Sequence, residues 1–451
     1  MVKNNEMEKK INLNKLAPRK ILRIIQQVGA IAEERQCRAF LVGGVVRDLL
    51  LNVANFDLDF VIEGDAGHVA QSLAAQTGGS CVVHRRFGTA TVVIPRRAQR
   101  GRRALGAIKV DFAAARRERY EHPGALPTVE FGSVRDDLYR RDFTINAMAV
   151  AINKDDLGRL IDYYGGQGDL AGKRVRVLHD ASFIDDPTRI LRAVRFEQRL
   201  GFRIEGHTER LMREALRAHA LDRTGKHRLR DELILMLSEE EPKGMLRRMG
   251  KLGALACVSP RLRFTKRHER LFDAVREALS RFCPAAGPDD RAVDPWLAYL
   301  NILLDGLSLQ ELKALCSDFA FKKVEEARLL SYKDQGRSLL RFLSRPTAMP
   351  PSELFMKLDP LSPETILSLM AKSSSSIAKK RMAEFIRRYR GTRLAIRGRD
   401  LEALGLAAGP RFKEILTAAL RAKLDKGLRT RRQELDLVRR LVRDGHRHPA
   451  R

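Results

Sequence analysis

Asp57-Leu-Asp59 puts two carboxylates two positions apart in a stretch, Asp57 to Ile62, whose alternation reads as a strand. Residues two apart on a strand project from the same face, so this pair is suited to holding Mg²⁺ between its oxygens. Upstream, Phe40-Leu-Val-Gly43-Gly44-Val-Val-Arg47-Asp48-Leu-Leu places two glycines between a short apolar run and a helical pattern. A glycine turn lets backbone approach a phosphate closely, the helix N-terminus behind it favours negative charge, and Arg47 stands where a guanidinium would grip a triphosphate. A third acid, Asp111 in Ile108-Lys-Val-Asp-Phe112, lies in a second strand pattern that would neighbour the first. Three converging carboxylates beside a phosphate cradle suit phosphoryl or nucleotidyl transfer with two metal ions. An isolated D-x-D is equally a solvated strand edge. The Gly-Gly turn before this one is what favours chemistry.

These residues need elements to position them. Ile21, Ile24, Ile25, Val28 and Ile31 recur at helical spacing within Ala17 to Glu34. A strand at Ala39 to Val42, a helix at Val45 to Leu51, and strands at Ser80 to Val83, Ala90 to Pro95 and Ala107 to Phe112 follow. The first part, to about Ile152, therefore mixes helices and strands around one small sheet. Beyond Pro187 the strand signals fade: Thr188 to Leu200, His207 to Ala218 and Arg228 to Leu237 all carry helical spacing, and the remainder reads as almost wholly helical. The fold class is α+β, an N-terminal mixed α/β domain followed by an elongated all-α region. In His84-Arg-Arg-Phe87-Gly88, Phe87 is expected in the core and the arginines in solvent.

The chain has 451 residues, with 85 lysines and arginines against 56 acids and a net charge of +29, which points to a polyanionic partner, nucleic acid first. Basic clusters recur at Arg213 to Arg230, Lys243 to Lys251, Lys379 to Arg390 and Arg429 to Arg443, where they would track a phosphate backbone with salt-sensitive affinity. Aromatics make up only 6% of residues, with one tryptophan, Trp296, so recognition is by shape and charge rather than a broad stacking platform. The five cysteines are scattered without a C-x-x-C pair, which indicates neither a zinc site nor a disulfide framework. With no long apolar run, the expectation is a soluble, cytoplasmic protein that does not enter a membrane.

Two further stretches narrow the reading: Arg140-Arg141-Asp142-Phe143-Thr144-Ile145-Asn146-Ala147 and Asp185-Asp186-Pro-Thr-Arg189-Ile-Leu-Arg192-Ala-Val-Arg195-Phe196. With the Gly-Gly turn and the strand acids, they resemble the motifs of the bacterial class II tRNA nucleotidyltransferase and poly(A) polymerase family, within the DNA polymerase β nucleotidyltransferase superfamily. The matches run in the family's order from residue 38 to 237. A stretch from Gly398-Arg-Asp400 to Gly409-Pro410 resembles the tail of many members more weakly. Asp185 stands where relatives often have Glu, a shorter carboxylate that bears on how the pocket reshapes between C and A.

The resemblance implies roles. Asp57 and Asp59 would bind Mg²⁺, with Asp111 the third catalytic acid. Gly44 and Arg47 would contact the incoming nucleotide and Arg141 its phosphates. Asp186 and Arg189 would read the base, with Arg192 and Arg195 near the nucleotide on the same helix. The chemistry agrees: an acceptor beside a fork of donors, neighbours if both lie on one helix, matches cytosine and adenine, whereas uracil and guanine present a carbonyl where the amino group should be. The segment Arg116 to Asp137, with His122-Pro123-Gly124 and Pro127, reads as a long mobile loop, which in the family helps to switch specificity from C to A. The implied organisation is a charged arm (1–20), a catalytic head (21–152), a nucleotide-recognition neck (153–240), a helical body (241–375) and a basic, tRNA-binding helical tail (376–451). The implied activity is addition of C and/or A to the 3′ end of tRNA from CTP and ATP. A-only or CC-only addition, poly(A) polymerisation, and a non-catalytic RNA-binding protein on the same fold are the alternatives.

Overall fold

The structure, a computed structural model, describes residues 10–13, 18–53, 57–95, 107–119, 128–282 and 293–447. Most of the N-terminal arm, the centre of the 116–137 segment and the last four residues lie outside them. The chain forms two compact units, Met1–Glu232 with Lys251–Cys257, and Leu233–Gly250 with Val258–Arg451.

In the first unit, helix α1 (Arg19–Glu34) leads to strand β1 (Arg38–Val42), helix α2 (Gly44–Leu50), strand β2 (Leu58–Glu63), helix α3 (Ala66–Thr77) and strands β3 (Ser80–His84), β4 (Thr89–Ile94) and β5 (Ile108–Ala114). Strands β6 (Arg116–Arg119) and β7 (Thr128–Phe131) make a separate antiparallel hairpin before helix α4 (Val134–Tyr139). Strands β8 (Ala149–Ala151) and β9 (Leu160–Ile161) complete a seven-stranded sheet in the order β3-β4-β5-β2-β1-β8-β9. Its β2–β5 pair is parallel, and the other pairs are antiparallel. The sheet therefore reaches past Ile152, to Ile161.

Burial explains this order. Leu58, Phe60 and Ile62 alternate into one face of the sheet, where the Phe60 and Phe112 rings stack 5.4 Å apart. On the opposite face Phe40, Val42 and Val61 pack with Val134 and Leu138 of α4. Each such side chain is worth roughly 1.5–3 kcal/mol when fully buried. Asp59 shares the Val61 face by strand alternation, which places it where that core ends. Helix α4 begins at a capping box, Ser133 and Asp136 satisfying each other's backbone N–H groups. The segment expected as one long loop is thus a hairpin stem and a capped helix, with residues 120–127, including His122, Gly124 and Pro127, outside the described residues. Phe87 is 56% exposed rather than core, in a short turn that has no buried residue and ends at Gly88.

Helix α5 (Gly166–Ala171), strand β10 (Arg174–Val175), helix α6 (Ser182–Asp185), helix α7 (Arg189–Leu200), strand β11 (Arg203–Ile204) and helices α8 (Gly206–Arg217), α9 (Lys226–Leu237) and α10 (Pro242–Leu252) follow. The second unit holds helices α11 (Lys266–Phe282), α12 (Pro295–Leu303), α13 (Leu309–Asp318), α14 (Lys323–Leu343), α15 (Pro351–Leu358), α16 (Pro363–Lys372) and α17 (Ser376–Glu384). Leu343, Leu354, Leu358, Ile366, Leu369 and Met382 form its core. Helices α18 (Gly398–Glu402), α19 (Pro410–Lys426) and α20 (Arg431–Arg447) gather a second apolar cluster around Leu401, Ala419 and Val438. There the fully buried Glu434 accepts from the Ala395 and Ile396 N–H groups and from Lys423 Nζ at 2.7 Å. Among the described residues no helix is long and apolar enough to cross a membrane.

Candidate active site

Asp59 of β2 stands beside Asp111 of β5 in the parallel ladder, as neighbouring strands predict. Asp57 precedes the strand by one residue and is exposed, whereas Asp59 is half-buried. Burial pushes the Asp59 carboxyl up to about 6. The Arg141 guanidinium opposes that shift, and the Asp111 and Asp57 carboxylates add to it. A divalent cation between Asp57 and Asp59 would relieve this like-charge strain, and two hard oxygen donors open to water suit Mg²⁺, which binds through one or two carboxylates and keeps part of its water shell. Asp111 does not complete a three-acid cage. Its oxygens accept the Thr91 hydroxyl and the Lys109 ammonium, each at 2.6 Å, and among the described residues no group of three or more acidic, histidine or cysteine side chains is arranged to hold an ion.

The glycine turn behaves as the sequence implies, with one shift of emphasis. Gly43 has φ +78° and ψ −137°, a conformation that L side chains rarely adopt, and it caps α2. A Cβ on Gly43 would lie 2.7 Å from Arg141 Nη1 and 3.9 Å from Asp59 Oδ2. On Gly44 it would meet only Arg47 Nη2, at 3.6 Å. The turn therefore needs glycine at 43, and Gly44 contributes an open helix N-terminus. Gly43→Ala is expected to cost about 1–3 kcal/mol of backbone strain and to raise the KM for nucleotide by displacing Arg141. Unfolding curves and initial rates over a range of nucleotide concentrations would check both effects.

Asp57, Asp59, Gly44, Arg47 and Arg141 line one cavity of about 600 Å³ with Asp186, Arg189, Arg192 and Arg195. Every residue picked out from the sequence is there except Asp111. Nine arginines against four aspartates make the wall strongly cationic, which suits a triphosphate. Arg47 is buried at 3% exposure, its guanidinium bonded to Asp48 (2.7 Å) and Asn146 (2.8 Å) and 5.2 Å from the Phe196 ring. It is a fixed cation in the wall rather than a free arm. Arg141 donates to Asp137 at 3.0 Å, while its Nε is buried without a partner.

Asp186 and Arg189 do not lie on one helix. Pro187 separates them: Asp186 ends α6 in an extended conformation and α7 starts at Arg189. The two side chains are held independently. Arg189 donates to the Ser182 hydroxyl at 3.2 Å and the Arg140 carbonyl at 2.8 Å. Asp186 accepts from the Thr188 N–H (3.0 Å) and hydroxyl (2.6 Å) and pairs with Arg228 at 2.8 Å. Both still face the same cavity.

Asp142, Asn146, Arg228 and Glu232 bond to residues of this cavity and are not among the candidates that the sequence marks. Asp142 accepts from Arg192 Nε and Nη2 at 2.9 and 2.7 Å and from Asn146 Nδ2 at 3.0 Å. Burial alone would raise its carboxyl, but the Arg192 guanidinium and the Asn146 amide outweigh it and hold Asp142 at about 2 against an ordinary 3.8. Because the folded value is the lower, this stabilisation is complete above the unfolded pKa and is lost as pH falls through the folded one. Asp142→Asn is expected to lower the unfolding free energy by about 2 kcal/mol at neutral pH. That gap from the parent protein should close as pH is lowered from about 4 to 2, as denaturant titrations at stepped pH would show.

Acids on neighbouring strands, a glycine turn opening a helix, and a wall of arginines define a nucleotidyltransferase head. Residues 39–176 match the Poly A polymerase head domain, and residues 201–264 match the probable RNA and SrmB-binding site of polymerase A. The chain is 37% identical over 434 residues, 95% of its length, to an A-adding tRNA nucleotidyltransferase of Geobacter sulfurreducens, and spans about half (48%) of that protein. An A-adding tRNA nucleotidyltransferase of Halalkalibacterium halodurans is 32% identical over 397 residues, covering 88% of this chain and 86% of its own. A solved CCA-adding enzyme in complex with ATP superposes with a TM-score of 0.68 at 32% identity, over 96% of this chain and 99% of that one. The chain belongs to the tRNA nucleotidyltransferase and poly(A) polymerase family.

Proposed function

We propose that the protein adds C and/or A to the 3′ end of tRNA from CTP and ATP, without a template and with release of pyrophosphate. The observation that supports this most is the single cavity in which Asp57 and Asp59 face a wall of arginines with Asp186 and Arg189 beside them. Mg²⁺ held by Asp57 and Asp59 would supply Lewis acidity for the attacking 3′-hydroxyl and the departing pyrophosphate. Arg141 and the arginines around it neutralise the triphosphate. Asp186 accepts the exocyclic amino group of C or A, and Arg189 donates to the ring nitrogen next to it, so U and G meet the wrong partners. Asp111, fixed by Thr91 and Lys109, keeps negative charge beside Asp59. The basic helical clusters hold the tRNA backbone.

A-only addition is the variant with specific support, because the Geobacter and Halalkalibacterium relatives, which align along most of the chain, are both A-adding. Purified protein with Mg²⁺ is to be incubated with tRNA transcripts ending before CCA, after the first C and after CC, with CTP and ATP separately and together. Extension of the CC-ended transcript alone, by one A, makes it an A-adding enzyme. Completion of all three makes it a full CCA-adding enzyme, and CC addition alone a CC-adding one. Long A tails on unrelated RNA mark a poly(A) polymerase, and no incorporation overturns the proposal in favour of an RNA-binding role.

A further inference from the structure

The Asp186 side chain belongs to a residue that no helix holds. It sits between α6 and α7 with φ −137° and ψ 92°, before Pro187. Its Oδ1 is taken by Thr188, whose N–H and hydroxyl both donate to it. Its Oδ2 lies 2.8 Å from Arg228 Nη2, in a pair that is 16% exposed on the aspartate and 25% on the arginine. A carboxylate oxygen has two lone pairs. Thr188 fills both on Oδ1, so the acceptor positions left are on Oδ2, beside the Arg228 cation.

Arg228 lies on α9, and so does Glu232, one turn later on the same face. Glu232 is 8% exposed and accepts Arg192 Nη1 at 2.9 Å on one oxygen and Arg195 Nη2 at 3.3 Å on the other. One face of one helix thus holds three residues of the cavity, Asp186 through Arg228 and two arginines of α7 through Glu232. The two Glu232 hydrogen bonds orient the α7 arginines, and the Arg228–Asp186 ion pair sets charge and distance at the aspartate.

We infer that Arg228 is a specificity-determining positioning residue: with Thr188 holding Oδ1, its cation fixes the Oδ2 side of the Asp186 carboxylate at the base edge, while Glu232 sets α7 against the same frame. This rests on the base-reading role proposed for Asp186. Without Arg228 only the two Thr188 bonds to Oδ1 hold the carboxylate and no cation lies beside Oδ2, so the line between amino-bearing and carbonyl-bearing bases blurs. The loss falls on the ratio between nucleotides rather than on all of them equally.

The test uses the full chain with CC-ended tRNA, measuring kcat/KM for single addition of ATP, CTP, GTP and UTP. Arg228→Ala is expected to raise addition of U and G relative to the preferred nucleotide by roughly tenfold. Arg228→Gln, closer in size, is expected to act in the same direction and carries the test if the alanine variant does not fold. Arg228→Lys, which keeps the charge, should restore part of the discrimination. In an Asp186→Ala background, Arg228→Ala should change the ratios no further, since two residues acting through one contact are not additive. An equal fall for all four nucleotides, or parental ratios in Arg228→Ala while Asp186→Ala loses them, overturns the inference and leaves base reading by Asp186 intact. Parental ratios in Asp186→Ala itself remove the base-reading role, and the inference with it.

Discussion

Asp59→Ala is expected to lower nucleotide addition by roughly 10³-fold or more, the equivalent of the several kcal/mol that a metal's charge stabilisation supplies. Asp57→Ala should do the same. Affinity for tRNA should stay within about twofold, because backbone contacts by lysine and arginine are a separate, salt-dependent contribution. Single-turnover addition and filter binding, run on the same preparations, separate the two. Equal loss of binding and addition would contradict the assignment of these aspartates to chemistry. Alanine at 59 also removes a carboxylate that burial and two neighbouring acids already strain. The variant should therefore be no less stable than its parent, and activity is lost without loss of fold.

Asp137→Ala is expected to act the opposite way, on the fold first. Asp137 is fully buried and accepts Arg140 Nε and Nη2 at 2.9 and 2.6 Å and Arg141 Nη2 at 3.0 Å. Burial alone would raise its carboxyl, but the Arg141 and Arg140 guanidiniums outweigh that and hold it below the usual carboxylate range. Removing one partner of a buried ion pair leaves the other charges uncompensated, at a cost of about 3–5 kcal/mol. Urea denaturation should show that loss. Where the variant still folds, a raised KM for ATP should accompany it, because Arg141 is no longer aimed at the cavity. An unchanged denaturation midpoint would show that Arg140 and Arg141 find water or other partners without cost.

How far the sequence reveals this site depends on how local each signal is. Asp57 and Asp59 are legible because a period of two is written into six residues, and Asp111 because its apolar frame repeats the pattern. The sheet beyond Ile152 is not legible. Ala149-Val-Ala151 is short and rich in alanine, a weak strand former, and is a strand because both its faces are buried. Asp186 and Arg189 carry helical spacing, yet Pro187 between them favours extended backbone at the residue before it, so the helix begins after the pair is split. The least legible residues are Arg228 and Glu232. Within a basic run nothing marks them, because Glu232 finds Arg192 across 40 positions of sequence and Arg228 finds Asp186 across a comparable span. An ion pair formed by tertiary packing leaves no local pattern to read. Phe87 misleads for the converse reason: its type argues for the core, and its turn leaves it in solvent.

The pairing of Asp59 with Asp111 in a parallel ladder makes the distance between these acids a matter of counting rather than of adjustment. Slipping β5 by one residue against β2 would turn Asp111 to the other face of the sheet. Slipping it by two would carry the carboxylate roughly 6–7 Å along the strand, away from its partner. No intermediate spacing exists for mutation to explore. Drift in the turns between the intervening elements can change length and composition, but the charge pair itself is either kept whole or lost in a single step.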